Sequence, residues 1–156
     1  MDENEVLKEL KTRLGDAVIE AEVPRKRRIF VKVKVESFRE SARFLVKELG
    51  FKHISTITGV DLGNSIELIY HLAYQGSIEL SLKVDLPKRE PKISTITDLI
   101  PGAILYEREV HDLLGVVFEG HPDLSPLLLP EKWPKGIHPL RKEYSLESIR
   151  KTLFKG

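Results

Sequence analysis

The chain has no cysteine, one tryptophan, one glutamine and no methionine beyond its first residue. Without cysteine there are no disulfides, no thiolate nucleophile and no iron–sulfur cluster held on its own thiolates. The same absence fits a reducing compartment. No apolar run approaches the roughly 18–20 residues that cross a bilayer. The start, Met1-Asp2-Glu3-Asn4-Glu5, is acidic, the opposite of a signal peptide. The expected place is the cytosol or the cytosolic face of a membrane. A surplus of either charge sign is missing too. Lys and Arg number 25 against 24 Asp and Glu, so the formal net charge is +1. No global field draws in nucleic acid or an anionic membrane. Few Asn and Gln beside many Lys and Glu is a composition of heat-adapted proteins, which says nothing of function.

What is there suffices for one domain of 156 residues with a real core. Val6, Leu7, Leu10 and Leu14 recur at helical spacing before Gly15, a good helix terminator. Val18–Val23 alternates, with Ile19, Ala21 and Val23 expected on one face, and Ile29–Val35 alternates again. Between them Pro24-Arg25-Lys26-Arg27-Arg28 reads as a solvated hairpin tip, or less simply as a nucleic-acid or lipid contact. Ser37 and Glu40 have capping-box spacing ahead of the stripe Phe38, Ala42, Leu45, Val46 and Leu49, closed by Gly50. Strands follow from Phe51 to Val60, Ile66 to Tyr74 and Ile78 to Val84, the last two joined by a two-residue Gln75-Gly76 turn. Leu86–Pro91 reads as a linker and Thr95–Ile100 as one helical turn. The spacing predicts a helix over about 101–114, with Tyr106, Val110, Leu113 and Leu114 on its apolar face, Glu107, Arg108, His111 and Asp112 opposite, and Glu109 at the boundary.

From Phe118 the periodicity stops, and five of the nine prolines follow, at 122, 126, 130, 134 and 139. Proline fixes φ and removes a donor, so this stretch is neither helix nor central strand. Yet Leu127, Leu128, Leu129, Trp133, Ile137 and Leu140 make it too apolar for disorder. A last short helix is expected over Ser145–Phe154. The expected fold is α+β: an antiparallel or mixed sheet with helices packed on it, residues 1–117, then an extended Pro-rich tail, 118–156.

Chemistry is harder to find. There is no HExxH, no GxSxG and no phosphate loop. His121, Asp123 and His138, with Glu119, could in principle ligate a metal, but without a fixed ligand spacing. Glu107, Glu109, Asp112 and Glu119 could form an acid/base pair, but Arg108 with Asp112 and Glu107 with His111 stand at i,i+4 and are expected to pair locally. Gly120-His121-Pro122 reads as a rigid corner that aims Asp123.

Glu107-Arg108-Glu109, Asp112-Leu113-Leu114 and His121, spaced as they are, resemble the signature of the respiratory complex I 30 kDa subunit family, a component of NADH:quinone oxidoreductase. Gly120-His121-Pro122-Asp123-Leu124 and His138-Pro139-Leu140-Arg141-Lys142 strengthen it, as do Val60-Asp61, Tyr70-His71-Leu72 and Ser94. The resemblance covers roughly 38–144. Ser125 departs from the pattern, standing where the signature usually has a basic residue or Pro. Leu129–Ile137 and the short run after Arg141-Lys142 are similar to the versions in membrane-bound, energy-converting nickel–iron hydrogenases and related ferredoxin-dependent complexes.

The resemblance implies a subunit with no redox centre and no catalytic residues of its own. It implies packing against the large catalytic subunit and the small iron–sulfur subunit of a membrane-associated, ion-translocating oxidoreductase, peripheral on its cytoplasmic face. The nickel–iron centre and iron–sulfur clusters would belong to those partners, and nucleic acid would not be among them. The tail would dock on a partner. Glu107, Arg108, Glu109, Asp112, His121, Asp123, Trp133, Arg141 and Lys142 are the expected interface residues, several of them in domain–tail or inter-subunit ion pairs.

Overall fold

The computed structural model, which describes residues 1–154, gathers the alternating segments into one five-stranded sheet. Helix α1 (Glu3–Leu14) opens on a capping box between Asp2 and Glu5 and ends at Gly15. Strands β1 (Val18–Arg25) and β2 (Arg28–Val33) form an antiparallel hairpin. Helix α2 (Phe38–Arg43) continues as a π-helical turn over Phe44–Glu48 and carries the chain to the far edge. There β3 (His53–Asp61), β4 (Ser65–Tyr74) and β5 (Ile78–Pro87) return as the expected meander. Strand β5 then pairs parallel with β2, giving a mixed sheet in the order β1-β2-β5-β4-β3.

One face of this sheet is apolar. Ile29 and Val31, Leu68, Tyr70 and Leu72, and Leu80, Leu82 and Val84 are fully buried there. Each such aliphatic side chain contributes roughly 2 kcal/mol relative to exposure. Phe38, Ala42, Leu45, Val46 and Leu49 of the expected helical stripe join the same core. The opposite face is charged but paired, with the Lys32 ammonium 2.7 Å from Asp85 and 3.5 Å from Glu67.

Four local expectations are corrected. Ile19 does not face the core: a register shift between Val18 and Glu20 turns it outward, 53% exposed, and Val18 packs inward with Ala21 and Val23. Ser37 stands at the N-cap position of α2, but the capping box does not form. It ends a 3₁₀ turn over Val35–Ser37 without a side-chain cap bond, and Glu40 turns instead to Arg13 and Arg43. The β4–β5 loop has three residues, Gln75, Gly76 and Ser77, with Gln75 and Gly76 at positive φ. Leu86 is not linker; β5 runs through it and buries it.

Beyond β5, β6 (Lys92–Ser94) pairs parallel with β7 (Val117–Glu119) in a second, two-stranded sheet. Between them lies α3 (Ala103–Leu114), ended by Gly115 in the left-handed region at φ 77°. The 117/118 boundary falls inside β7, and Phe118 is buried in the core of the body. Residues 120–144 form turns and extended segments, followed by α4 (Leu146–Leu153), which a Ser145–Ser148 box caps.

Gly59 fixes how α3 meets the sheet. A Cβ there would collide with the Leu114 side chain and stand 3.3 Å from Val110 Cγ1. Replacing Gly59 by valine is therefore expected to cost about 1–3 kcal/mol through overpacking. Thermal unfolding followed by circular dichroism checks this; an unchanged melting temperature would show that α3 does not bear on Gly59.

Candidate functional site

The site is built around α3, whose core-facing stripe is Ala103, Glu107, Val110 and Leu114. A carboxylate thus occupies a position where the helical period calls for an apolar residue. Glu107 Oε2 accepts from the Thr95 hydroxyl at 2.5 Å and Oε1 from the Ile96 N–H at 3.0 Å. The Thr95 hydroxyl in turn lies 3.0 Å from that of Thr97. The expected Glu107–His111 pair does not form; His111 Nδ1 donates to the Val116 carbonyl at 2.7 Å. With no cation in contact, burial pushes the Glu107 carboxyl up to about 7, with Thr95 and Ile96 offsetting part of the shift and Asp98 adding to it.

His121 lies on the other side of Glu107, Nε2 to Oε2 3.9 Å, with both side chains fully buried. Its Nδ1 accepts the Asp123 N–H at 3.0 Å, so the proton is on Nε2, which donates to the Ile104 carbonyl at 3.0 Å. The ring holds the Gly120–Asp123 corner onto α3. The Tyr70 hydroxyl, fully buried, has no hydrogen-bond partner; burial, with the Glu107 charge adding to it, keeps its pKa above the usual phenol range.

The remaining α3 residues hold the tail through its backbone. Arg108 does not pair with Asp112. Its Nε donates to the Ser125 carbonyl at 3.1 Å, and its Nη2 to the Ser125 hydroxyl at 3.2 Å and the Pro126 carbonyl at 3.0 Å. Ser125, the departure from the signature, is thus one of the guanidinium's acceptors, where a basic residue would repel it. Asp112 Oδ2 accepts three consecutive tail N–H groups, from Leu127, Leu128 and Leu129, at 2.9, 2.8 and 3.2 Å. This is a nest of amides closed on the chain's own carboxylate.

The C-terminus of α3 is completed by the same tail. The His111 carbonyl is capped locally by Gly115 N–H. The Asp112 carbonyl accepts from His138 Nδ1 at 3.0 Å, the Leu113 carbonyl from Leu140 N–H at 3.0 Å, and the Leu114 carbonyl from Arg141 Nε at 2.7 Å. A cation at a helix C-terminus also meets the negative end of its dipole. Gly115 is needed twice, for its positive φ and because a Cβ would lie 2.6 Å from the His138 ring.

At the far end of the tail, Asp61 Oδ2 accepts the Lys142 N–H at 2.8 Å and pairs with the Lys88 ammonium at 2.7 Å, while Oδ1 accepts the Gly63 N–H. Burial alone would raise the Asp61 carboxyl, but Lys142, Lys88 and Gly63 together hold it well below the usual carboxylate range. Lys88 also reaches Glu143 at 2.8 Å. Lys142 acts here through its backbone, its side chain being exposed.

Of the expected interface residues, Arg108, Asp112, His121 and Arg141 converge on the α3–tail junction. Trp133 Nε1 donates to the Ile137 carbonyl at 2.8 Å within the tail, and Asp123 is exposed, its Oδ1 capping the Ser125 N–H. Arg108, Asp112, Arg141 and Lys142 join body and tail through hydrogen bonds, most of them to backbone, rather than through the expected ion pairs; a domain–tail ion pair forms instead at Lys88–Glu143. His121 meets the Asp123 backbone amide rather than its carboxylate, His138 is bonded at the end of α3, and the described residues contain no group of three or more His, Asp or Glu set to hold a metal. Sequence reasoning missed Thr95, Lys88 and the clamp on Asp61; the Asp61–Asn64 turn was legible, its distant partners were not.

Residues 31–150 match the family described as respiratory-chain NADH dehydrogenase, 30 kDa subunit. The chain is 34% identical over 147 residues to a subunit of the F(420)H(2) dehydrogenase of Methanosarcina mazei, covering 92% of each chain. A solved chain of the membrane-bound sulfane sulfur reductase, an archaeal respiratory membrane complex, superposes with a TM-score of 0.84 at 28% identity, covering 98% of this chain and 91% of that one. The trypsin-resistant fragment (1–134) of Nqo5 superposes with a TM-score of 0.66 at 30% identity, covering 80% of this chain and all of the fragment.

Two measurements bear on this junction. Glu107 binds its proton more tightly folded than unfolded, so its contribution is full below its unfolded value of 4.5 and is lost as the pH rises to about 7. Urea unfolding in pH steps is expected to show a decline of order 3 kcal/mol across that window, flattened in Glu107→Gln; an unaltered slope in the variant would exclude Glu107 as its source. Asp61 has the opposite sign, its contribution draining away only as the pH falls through and below the ordinary carboxylate range. Second, Asp112→Ala leaves three amides without their acceptor and is expected to release the tail at a cost of about 3 kcal/mol. Trp133, the one tryptophan, reports this directly: its emission shifts to the red, whereas a wild-type spectrum would show that the nest does not hold the strap.

Proposed function

The chain belongs to the 30 kDa subunit family of respiratory-chain NADH dehydrogenases, and on that premise we propose that it is a non-catalytic structural subunit of a membrane-associated respiratory oxidoreductase. It is a component of a multi-subunit complex, peripheral to the membrane arm; no helix among the described residues is long and apolar enough to cross a membrane. Within the proposal, the body and its strap lie against the large catalytic subunit and beside the small iron–sulfur subunit, on the cytoplasmic face. Nickel–iron or quinone chemistry and the iron–sulfur clusters belong to those siblings, in a complex of the hydrogenase type. A specific observation keeps a second reading beside it, the 30 kDa subunit of an NADH:quinone oxidoreductase: the matched family is that of the NADH dehydrogenases.

The observation that carries the proposal is the way the strap is fixed. Its backbone is pinned to α3 while three of its leucines point away, with Leu128 and Leu140 each 57% exposed and Leu127 exposed beside them. Apolar groups held rigidly outward are the anatomy of a surface awaiting a partner. The likeness to the sulfane sulfur reductase chain supports this, since it extends over 98% of this chain and so includes the strap.

The variant Leu127→Ser/Leu128→Ser is expected to leave the melting temperature of the isolated chain nearly unchanged, since exposed substitutions usually shift stability by less than about 0.5 kcal/mol. Its incorporation into the complex is expected to fall at least roughly tenfold, the equivalent of about 1.4 kcal/mol at the interface. Arg141→Ala, which uncaps α3, is expected to lose incorporation too. Wild-type incorporation and turnover in both variants would remove the reading.

A further inference from the structure

Among the ionisable residues of α3, Glu107, Arg108, His111 and Asp112 each have a hydrogen-bond partner in the chain. Glu109 has none among the described residues, although it is half-buried. It stands on the wall of a concavity of about 240 Å³ between α3 and β3, with Thr56, Thr58, Ile57, Leu114 and the exposed Leu140 among its other walls. Strand β3 is the edge of the sheet, so this concavity opens beside an unpaired strand edge.

We propose that this concavity receives an arginine side chain from an adjacent subunit, whose guanidinium pairs with Glu109. The inference rests on the reading of the chain as a docked subunit and names one point of that contact. The chemistry of the walls selects the guest. A carboxylate kept partly out of water without a partner is unfavourable, and an interfacial cation relieves that. Ile57, Leu114 and Leu140 offer apolar surface for a long aliphatic stem. Thr56 is a polar residue of the same lining, and donors that a single carboxylate leaves over meet it or water, since the Thr58 hydroxyl is already engaged with His71 at 3.1 Å. Arginine presents five such donors in a rigid fork and sheds water more readily than lysine, which makes it the better fit.

The test compares the free full-length chain with the assembled complex. Carboxyl groups are labelled with a water-soluble carbodiimide and glycine ethyl ester, and modification of Glu109 is read by mass spectrometry. Glu109 is expected to react in the free chain and at least roughly tenfold more slowly in the complex, the protection that about 1.4 kcal/mol of pairing produces. Equal labelling in both overturns the proposal. In parallel, Glu109→Arg is expected to lower incorporation at least about tenfold, and an Arg→Glu substitution at the facing position of a sibling subunit is expected to restore it. Wild-type incorporation of Glu109→Arg, or protection without any restoring arginine, overturns the proposal. Should Glu109→Arg fail to fold alone, the labelling comparison, which needs no substitution, decides. If Leu127→Ser/Leu128→Ser abolishes incorporation while Glu109 stays reactive, this contact fails and the docked-subunit reading stands; if neither matters, both fall.

Discussion

The C-terminus of α3 is the constraint on which the rest depends. Every helix ends with carbonyls that have lost their intrahelical donors, and a buried end needs them answered. Here one is answered locally by Gly115, and three by His138, Leu140 and Arg141, more than twenty residues along the chain. The Asp112 side chain then fixes Leu127–Leu129 from the same turn of helix. The strap is therefore less an appendage than the missing end of a helix. Its irregular, proline-spaced backbone is ordered because its amides and rings have specific work at α3.

This arrangement explains the charged signature without invoking catalysis. Arg108 and Asp112 bind backbone rather than each other, and the histidines donate to backbone carbonyls at corners: His121 to Ile104, His138 to Asp112, His111 to Val116. Glu107 is the exception in kind. It is buried beside an unpartnered tyrosine hydroxyl and a neutral imidazole, with only hydroxyl and amide donors in contact. Such a group is expensive to keep ionised, so its proton does what a cation would do elsewhere.

The sheet was legible wherever one face is apolar. Alternation in β4 and β5, the α2 stripe, the meander and the glycine after α3 follow from local period and turn chemistry alone. So does the α+β class, and the signature residues pointed to the junction that the fold assembles. What local reasoning lost is non-local. The parallel β2–β5 pairing leaves no mark in either strand. The bulge that expels Ile19 is set by pairing with β2. Glu107 was assigned to the wet face because a carboxylate usually belongs there; only the Thr95–Ile96 turn, brought in by tertiary packing, makes the inward position tenable. The i,i+4 pairs on α3 lost to backbone acceptors and donors in the strap, which no helical wheel contains.

The Asp61–Lys142 hydrogen bond joins residues 81 apart in sequence. Closing so long a loop carries an entropic cost that the contact must offset. Three of the four last carbonyls of α3 depend on the same strap. Without the strap in place, α3 lacks the donors that answer its last three carbonyls. The strap's closure arrays Leu127, Leu128 and Leu140 and completes the helix at once. The outward leucines and the completed helix end are thus one feature, present together or not at all.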